Sequence, residues 1–215
     1  MAISREVVYN GNMRSLNTNL ISKTQKEIII GNILGDGCLE FNGFRGTRLQ
    51  IKQSLRYKEY VFWLYDQLKD LCNSSPKQRK DNDQWYFSTK YLSELTVLHR
   101  IFYPSGKKVI PKDISKLLIS PLTLAIWYMD DGSLYWRPKE HNGFRLCTNC
   151  FSVKDVHQLK NVLYDNFSIE STVQKTSCRG KSYPRIYVGV AGRNKFLKVI
   201  KSYMLKCFSH KLPPL

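Results

Sequence analysis

The amino-acid sequence predicts an α+β protein made of two related halves. Both halves show the same order of patterns: a helix, a pair of strands, a second helix, a second pair of strands and a third helix. The first helix of each half runs into an aspartate followed by glycine, at Asp36 and Asp131, which stand 95 residues apart. Each half also closes with a lysine, apolar residues and proline. We interpret these repeats as a tandem duplication of about a hundred residues, which predicts a pseudo-twofold axis.

The first half is predicted over residues 24–112, after a polar and mobile tail over residues 1–23. Its first helix begins at a capping box formed by Thr24 and Glu27, and Gly37 suits the left-handed conformation that ends a helix. Periodicity of the apolar residues predicts the elements that follow. These are a strand over 48–53, a helix over 57–71, a basic stretch over 76–80 that leads into a strand over 84–90, and a helix over 91–102.

The second half is predicted over residues 113–215. Its first helix begins with Ser120 as N-cap and Pro121 at the first helical position, and it ends at Asp131. Another capping box, at residues 152–155, begins the second helix. The remaining elements are strands over 144–151, 171–178 and 184–192, the helix that reaches residue 167, and a helix over 193–208.

The charge of the chain indicates a polyanionic partner. Lys and Arg number 34 against 17 Asp and Glu, giving a net charge of +17. Aromatic residues make up 13% of the chain, which favours nucleic acid over an anionic membrane surface. No apolar run reaches the roughly 18 residues that a membrane span needs. We also find no signal-peptide core and therefore expect an intracellular protein.

The cysteines and histidines give no pattern of a metal site. Six cysteines are scattered along a chain that is large enough to fold without disulfides, and we expect reduced thiols. Cys147 and Cys150 have the spacing of a zinc pair, but no second pair follows. In a strand, residues three apart point to opposite faces, which argues further against zinc at this pair.

The two acidic helix ends require an explanation. Carboxylates destabilise the negative end of a helix, and the sequence places Asp36 at one such end and Asp130 and Asp131 at another. Helix capping cannot account for them, because the helix dipole opposes it and the pattern occurs twice. We therefore expect a positive group outside each helix, such as a metal ion.

The segments that carry these aspartates resemble the nine-residue motif of the LAGLIDADG homing endonucleases. The matching stretches are IIGNILGDG (29–37) and LAIWYMDDG (124–132), and two copies in one chain are typical of the monomeric class. The resemblance implies two pseudo-symmetric αββαββα half-domains, each with a saddle-shaped antiparallel sheet that grips DNA, packed through the two motif helices. The second copy departs from the motif, with Ile126 in place of the central glycine and Asp130 where the first copy has Gly35.

The same resemblance implies metal-dependent hydrolysis of DNA. Asp36 and Asp131 occupy the final acidic position of the motif and would bind Mg²⁺, together with the carbonyl groups of Gly35 and Asp130. Mn²⁺ is expected to substitute, and Ca²⁺ to support binding without cleavage. We expect the Asp130 side chain to lie outside the ligand set, either behind the ligands or on the surface.

Three further residues are candidates for the chemistry. Lys108 and Lys211 stand in the repeated lysine–apolar–proline context, where the resembled class has a basic residue beside each active site. Gln53 matches a glutamine of the resembled class, which lies at the end of a DNA-binding strand and positions water. Its counterpart in the second half is Cys150, so we expect two chemically different sites and unequal cleavage of the two strands.

The predicted strands present polar side chains that suit the major groove, where Arg and Lys read guanine and Gln and Asn read adenine. Because the two halves differ at nearly all of these positions, we expect a long asymmetric target bound by a monomer. The candidate DNA-binding residues are Arg48, Gln50, Lys52, Lys77, Arg79, Lys80, Arg145, Asn149, Gln174, Lys175, Arg185 and Tyr187.

Two other functions stay open at this point. Some members of the resembled family are RNA maturases that help their parent intron to fold, and a DNA-binding regulator could keep the fold without cleavage. Retention of Asp36, Asp131 and both lysines favours the nuclease over either, although one protein could combine nuclease and maturase activities. The resemblance also favours an intron-encoded protein, and only by that analogy a mitochondrial or chloroplast location.

Overall fold

A computed structural model of the chain describes residues 20–79, 81–135, 142–178 and 180–214. The predicted tail lies outside the described residues, except for its last four positions. In the described part, six α-helices and eight strands follow the predicted order twice, and they confirm the α+β class.

The first half contains three helices and one sheet of four strands. The elements are α1 (Lys23–Leu34), β1 (Cys38–Asn42), β2 (Gly46–Ser54), α2 (Lys58–Leu68), β3 (Lys77–Arg79), β4 (Gln84–Ser88) and α3 (Ser93–Phe102). Helix α1 begins earlier than predicted, because Ser22 and Gln25 form the capping box that was assigned to Thr24 and Glu27. It also ends earlier, with Gly35 rather than Gly37 as its C-cap.

The second half repeats this arrangement. Its elements are α4 (Pro121–Asp131), β5 (Gly132–Tyr135), β6 (Gly143–Cys147), α5 (Val153–Phe167), β7 (Thr172–Cys178), β8 (Lys181–Val188) and α6 (Val190–Ile200). The predicted caps of α4 and α5 are confirmed, since the side chains of Ser120 and Ser152 accept hydrogen bonds from backbone N–H groups of their helices.

Three predicted boundaries of the second half are wrong. Strand β6 ends at Cys147 and not at residue 151, because Thr148 is buried and donates a hydrogen bond to the carbonyl of Pro184. Strand β8 lies earlier than predicted, since Val190 already belongs to α6. The helix predicted over 193–208 ends at Ile200, and short 3-10 helices continue the chain over Lys201–Tyr203 and Lys206–Lys211.

The two sheets have the same topology. The strand orders are β1-β2-β4-β3 and β5-β6-β8-β7, and all pairs are antiparallel. Along β2, Leu49 and Ile51 are buried against the helices, whereas Lys52 is exposed on the opposite face. The alternation predicted for this strand is confirmed, and each sheet leaves one face open to solvent.

Helices α1 and α4 form the centre of the molecule and pack directly against each other. Glycines of α1 permit the close approach. A Cβ atom built on Gly31 would lie 2.8 Å from the Cβ of Ile126 and 2.8 Å from the Thr123 carbonyl oxygen. Close packing between apolar helices excludes water from the interface and fixes the relative position of the two halves.

The segments that follow α3 and α6 each pack against the other half. After α3, the carbonyl groups of Pro111 and Lys112 accept hydrogen bonds from Gln158 of α5, both at 2.9 Å. After α6, Phe208 stacks on Tyr57, beside the start of α2, with ring centroids 4.8 Å apart. This exchange carries Lys108 and Lys211 towards the interface between the halves.

Two expectations about the chain as a whole concern its thiols and membranes. Five cysteines in the described residues have free thiols, as predicted: Cys38, Cys72, Cys147, Cys150 and Cys207. No helix within the described ranges combines the length and apolar character needed to cross a membrane.

Candidate active site

Asp36 and Asp131 lie at the ends of the two central helices. Asp131 is the last residue of α4, whereas Asp36 is exposed in the turn that follows α1. In that turn the backbone N–H of Gly37 donates to the carbonyl of Asn32 at 2.7 Å. A Cβ atom at position 37 would lie 2.7 Å from the same carbonyl oxygen, so only glycine fits the turn that presents Asp36.

Asp130 extends its carboxylate across the interface into the first half. Its Oδ2 atom accepts a hydrogen bond from the backbone N–H of Asp36 at 3.3 Å, and its Oδ1 atom accepts one from the hydroxyl of Tyr60 at 2.9 Å. The Nε2 atom of Gln53 donates to Asp36 Oδ2 at 2.8 Å and, more weakly, to Asp130 Oδ1 at 3.4 Å. The alternative that this side chain lies on the surface is therefore wrong.

The two predicted lysines lie against the carbonyl ends of the motif helices. Lys108 Nζ donates to the carbonyl oxygens of Gly35 at 3.0 Å and Gly37 at 3.2 Å, on both sides of Asp36. Lys211 Nζ donates to the carbonyl oxygen of Met129 at 2.6 Å, in the last turn of α4. Each ammonium group thus supplies positive charge at the negative end of a helix, where the sequence had placed only carboxylates.

Burial and mutual repulsion alter the acid–base properties of this cluster. Burial, followed by the charge of Asp36, raises the pKa of Asp131 to about 7, while Lys108 and Lys211 act in the opposite direction. Burial and then Asp36 also raise the pKa of Asp130 above its ordinary value. The pKa of Lys211 is lowered by burial, which outweighs the attraction of the neighbouring carboxylates.

The surroundings of Asp36 and Asp131 are not equivalent. By the internal repeat, the counterparts of Gln53 and Asp130 are Cys150 and Gly35. Gly35 has no side chain, and a thiol cannot offer the two N–H donors of an amide. Within the residues that the structure describes, the carboxylate of Asp131 accepts no hydrogen bond and forms no ion pair. The two aspartates therefore have different surroundings within the described residues, and a chemical difference between the two sites stays a prediction.

The donor set at this position suits a hard divalent cation. Asp131 is a partly buried carboxylate without a partner in the described residues, and the second carboxylate, Asp36, is close enough to raise its pKa. Mg²⁺ is typically bound by one or two carboxylates, waters and substrate phosphate, so it requires no larger group of protein ligands. Among the described residues, no cluster of three or more His, Cys, Asp or Glu side chains forms a metal cage.

The carbonyl groups predicted as further metal ligands already have partners. The oxygen of Gly35 accepts from Lys108 at 3.0 Å and that of Asp130 accepts from Lys211 at 3.3 Å. Each carbonyl oxygen has a second lone pair, so a cation and a lysine can share it. If these carbonyl oxygens also bound a cation, an ammonium group would lie beside it on each side.

The open face of the first sheet carries five of the predicted DNA-binding residues: Arg48, Gln50, Lys52, Lys77 and Arg79. Two of the five are paired with acids. Arg48 forms an ion pair with Glu40 at 2.8 Å, and Arg79 forms one with Asp81 at 2.9 Å. Lys80, also predicted to contact DNA, lies outside the described residues.

The open face of the second sheet carries four of the predicted DNA-binding residues. Arg145, Gln174, Arg185 and Tyr187 share this face through the β6–β8 and β7–β8 registers. The Arg145 guanidinium stacks over the ring of Tyr135, 3.8 Å from its centroid. The Nε atoms of Arg145 and Arg185 are buried without a hydrogen-bond partner in the described residues, and strands β5 to β8 contain no acidic residue.

Two predicted contacts fall elsewhere. Lys175 pairs with Pro184, between the pairs that lie on the open face, and it therefore belongs to the opposite face of the sheet. Asn149 is exposed, but it lies in the turn after β6 and not on the strand. The open face of the second sheet thus carries two fewer candidate DNA contacts than the sequence predicted.

The sequence analysis missed Tyr60, the phenol that binds Asp130. It lies on the apolar face of α2 and is 0% exposed, and the apolar periodicity of that helix gives no reason to expect a polar contact there. A buried tyrosine usually finds a hydrogen-bond partner, and this rule is the only signal in the sequence that could have singled it out. Tyr128 is similar, since its hydroxyl donates to the carbonyl oxygen of Lys211 at 2.8 Å.

Comparison with known proteins finds similarity to an mRNA maturase and to two endonucleases. The cytochrome b mRNA maturase bI2 of Saccharomyces cerevisiae is 33% identical over 94% of this chain, which spans 49% of the length of that protein. The DNA endonuclease I-ChuI of Chlamydomonas applanata is 28% identical over 89% of this chain and 95% of its own. The homing endonuclease I-WcaI, solved bound to its DNA recognition sequence, has the same fold, with a TM-score of 0.78 and 24% identity over 90% of this chain and 87% of that chain.

The sequence matches the LAGLIDADG DNA endonuclease family over residues 26–196, from the first turn of α1 into α6. This range includes both nine-residue motifs, both sheets and all three aspartates of the interface. The chain belongs to the LAGLIDADG DNA endonuclease family.

Proposed function

We propose that this protein is a site-specific endonuclease that binds a long asymmetric DNA duplex as a monomer and cleaves both strands by metal-dependent hydrolysis. The observation that carries the proposal is the position of Asp36 and Asp131. They lie together at the ends of α1 and α4, in the interface between two halves that each present an open sheet face. Duplex bound along both faces would pass over this interface.

Asp36 and Asp131 would hold Mg²⁺, with Mn²⁺ as a substitute and Ca²⁺ supporting binding alone. When bound, the cation activates water for attack on phosphorus and stabilises the leaving oxygen. The chain's own residues supply position and charge. Gln53 holds the Asp36 carboxylate at 2.8 Å, and the same amide is available to orient a water molecule on its exposed side.

Lys108 and Lys211 would stabilise the negative charge that develops on the phosphate during attack. Both ammonium groups are fixed by carbonyl oxygens beside the aspartates, so they need no rearrangement when DNA binds. Lys211 is only 9% exposed, and burial lowers its pKa, while the charges of Asp130, Asp36 and Asp131 act in the opposite direction. Preorganised charge of this kind is typically worth about 10²–10³ in rate.

The different surroundings of the two aspartates support unequal cleavage of the two strands. Asp36 is fixed by Gln53 and by its backbone bond to Asp130, whereas Asp131 lacks such partners within the described part of the chain. The two open faces also differ at nearly every position, which favours a target without palindromic symmetry. We expect one strand to be cut first and a nicked duplex to accumulate briefly.

The test is a selection of bound duplexes from a large DNA pool in Ca²⁺, followed by transfer to Mg²⁺ and sequencing of the ends. One long asymmetric motif, cut on both strands near its centre, would support the proposal. Selected duplexes that stay intact in both Mg²⁺ and Mn²⁺ would contradict cleavage and indicate a DNA-binding regulator.

A second candidate function is that of an RNA maturase that assists splicing of an intron. It is favoured by the 33% identity to the yeast mRNA maturase bI2, although this chain spans about half of that protein. Such a role requires a basic surface and no metal site. Failure to select any DNA motif, together with tight binding to a structured group of intron transcripts, would favour it over the nuclease.

A further inference from the structure

All hydrogen bonds accepted by the Asp130 side chain come from the other half of the molecule. Asp130 belongs to α4, and its three hydrogen-bond donors, Asp36 N–H, Gln53 Nε2 and Tyr60 O–H, belong to the first half. All three are donors, so the carboxylate acts as an acceptor on both oxygens. No other side chain of the described residues joins the two catalytic elements Asp36 and Gln53 in this way.

We propose that Asp130 is a positioning residue for one of the two cleavage reactions. From the second half, its carboxylate fixes the Asp36 main chain and the Gln53 amide. It thereby speeds cleavage of the DNA strand that Asp36 serves relative to the other strand. This inference rests on the proposed nuclease function. Its counterpart position is Gly35, which has no side chain, so the Asp131 side receives no equivalent support.

The geometry explains why a carboxylate is required at this position. An asparagine has one acceptor and one donor group, so it can satisfy either the Asp36 N–H or the Gln53 and Tyr60 donors without loss, but not both sets. A rotated Gln53 amide would in turn place its carbonyl oxygen against the Asp36 carboxylate. An effect of the lost negative charge alone would instead reach Asp36 and Asp131 alike, because both lie close enough to Asp130 to interact with its charge.

Tyr60 anchors this arrangement from the core. Its ring is 0% exposed and packs edge-on against Phe208, with centroids 5.0 Å apart. Its hydroxyl is the closest donor to Asp130, at 2.9 Å. Because the ring cannot move without disturbing the core, the hydroxyl fixes the orientation of the Asp130 carboxylate and, through it, of Asp36.

The experiment is strand-resolved, single-turnover cleavage of a selected duplex that carries a different label on each strand, with the full chain in Mg²⁺. Asp130→Asn and Gln53→Leu should slow the same strand about 100-fold and leave the other within about threefold, so that nicked duplex accumulates. Tyr60→Phe should slow that strand about tenfold. Tyr65→Phe, the same change on the same helix away from Asp130, is the matched control and should leave both rates unchanged.

Equal slowing of both strands by Asp130→Asn would overturn the inference, since it would indicate a shared charge or structural effect. Unchanged rates on both strands would overturn it as well. A second measurement does not depend on cleavage: unfolding of Asp130→Asn, Tyr60→Phe and the double variant should be non-additive, and additive effects would contradict the arrangement. If the wild-type chain cuts neither strand, the proposed function fails, and the unfolding cycle still decides whether Asp130 holds the first half.

Discussion

Gly35, the C-cap of α1, lies directly against Asp130 of α4, its own counterpart in the internal repeat. A Cβ atom at position 35 would lie 2.4 Å from the Cβ of Asp130. Gly31 and Ile126, also counterparts, meet in the same way. Residues beside a twofold axis meet their own symmetry mates, so only one of each pair can carry a side chain here. Because the two halves belong to one duplicated chain, position 35 can be glycine while position 130 is an aspartate that contacts Asp36.

Gly35→Ala should lower the free energy of unfolding by about 1–3 kcal/mol, because the new methyl group overpacks the interface at Asp130. All three atoms nearest to that methyl belong to Asp130, so the double variant Gly35→Ala with Asp130→Gly should lose less stability than the sum of the two single variants. Urea unfolding measures both. Gly43→Ala, at a position with open space, is the control, and an equal effect there would contradict the packing argument.

The stability of the free protein should depend on pH through Asp131. Its pKa is raised from 3.8 to about 7 in the folded chain, so the folded state holds this proton more tightly than the unfolded state does. Stability should therefore fall as the pH rises from about 4 to about 7 and then level off, by at most about 4 kcal/mol at 1.36 kcal/mol per pKa unit. The raised pKa of Asp130 acts in the same direction.

Asp131→Asn should accordingly be more stable than the wild-type chain at pH 8 and similar to it near pH 4, measured by urea unfolding in the presence of a chelator. Added Mg²⁺ should narrow the difference at pH 8, because a cation compensates the ionised carboxylate. Asp70→Asn, at an exposed position, is the matched control. If Asp131→Asn is less stable than wild type at pH 8, the ionised Asp131 carboxylate does not destabilise the folded chain, and the argument fails.

Lys211→Met should slow cleavage about 10²–10³-fold while leaving duplex affinity in Ca²⁺ within about threefold. Lys211 donates to carbonyl oxygens at the end of α4, so the change should also lower the free energy of unfolding by about 1–3 kcal/mol. Single-turnover cleavage and titration of the same duplex separate the two effects. The exposed Lys206→Met is the control, and a similar loss of rate there would contradict a specific role for Lys211.

The second sheet should contribute more to DNA affinity than the first. Arg145→Gln removes a stacked guanidinium that has no acidic partner within the described residues, whereas the equivalent Arg48 is already paired with Glu40. Arg145→Gln should weaken binding by about 1–3 kcal/mol and Arg48→Gln by less. Glu40→Gln should strengthen binding. Equilibrium titrations over a range of salt concentrations measure these affinities, and a salt-independent affinity would contradict binding along both faces.

Much of the fold could be predicted because its signals are local. The start of α4 at Ser120–Pro121 and the capping box of α5 at Ser152 depend on neighbouring residues only, and both are confirmed. The helix predicted over 193–208 is wrong for the opposite reason. Its apolar spacing continues past Ile200, but contacts with the other half turn the chain so that Phe208 and Lys211 enter the interface.

The candidate site shows the same division. The motif spacing led to Asp36 and Asp131, and repetition of a lysine–apolar–proline context led to Lys108 and Lys211, which contact the carbonyl ends of the motif helices. The contact between Tyr60 and Asp130 could not be predicted, although a position of the Asp130 side chain behind the ligands was one of the two that the sequence left open. Their contact joins residues 70 positions apart in different halves, and only the packing of α1 on α4 brings them together.

The measurement that tests the central claim most directly is double-strand cleavage of one selected duplex in Mg²⁺ by the wild-type chain and by Asp36→Asn and Asp131→Asn, with duplex affinity measured in Ca²⁺. We predict cleavage by the wild-type chain, at least about a thousandfold slower double-strand cleavage by each variant, and affinities that change little, because the two carboxylates would hold the cation. Full double-strand cleavage by either variant would contradict the assignment of these two aspartates as the catalytic centre.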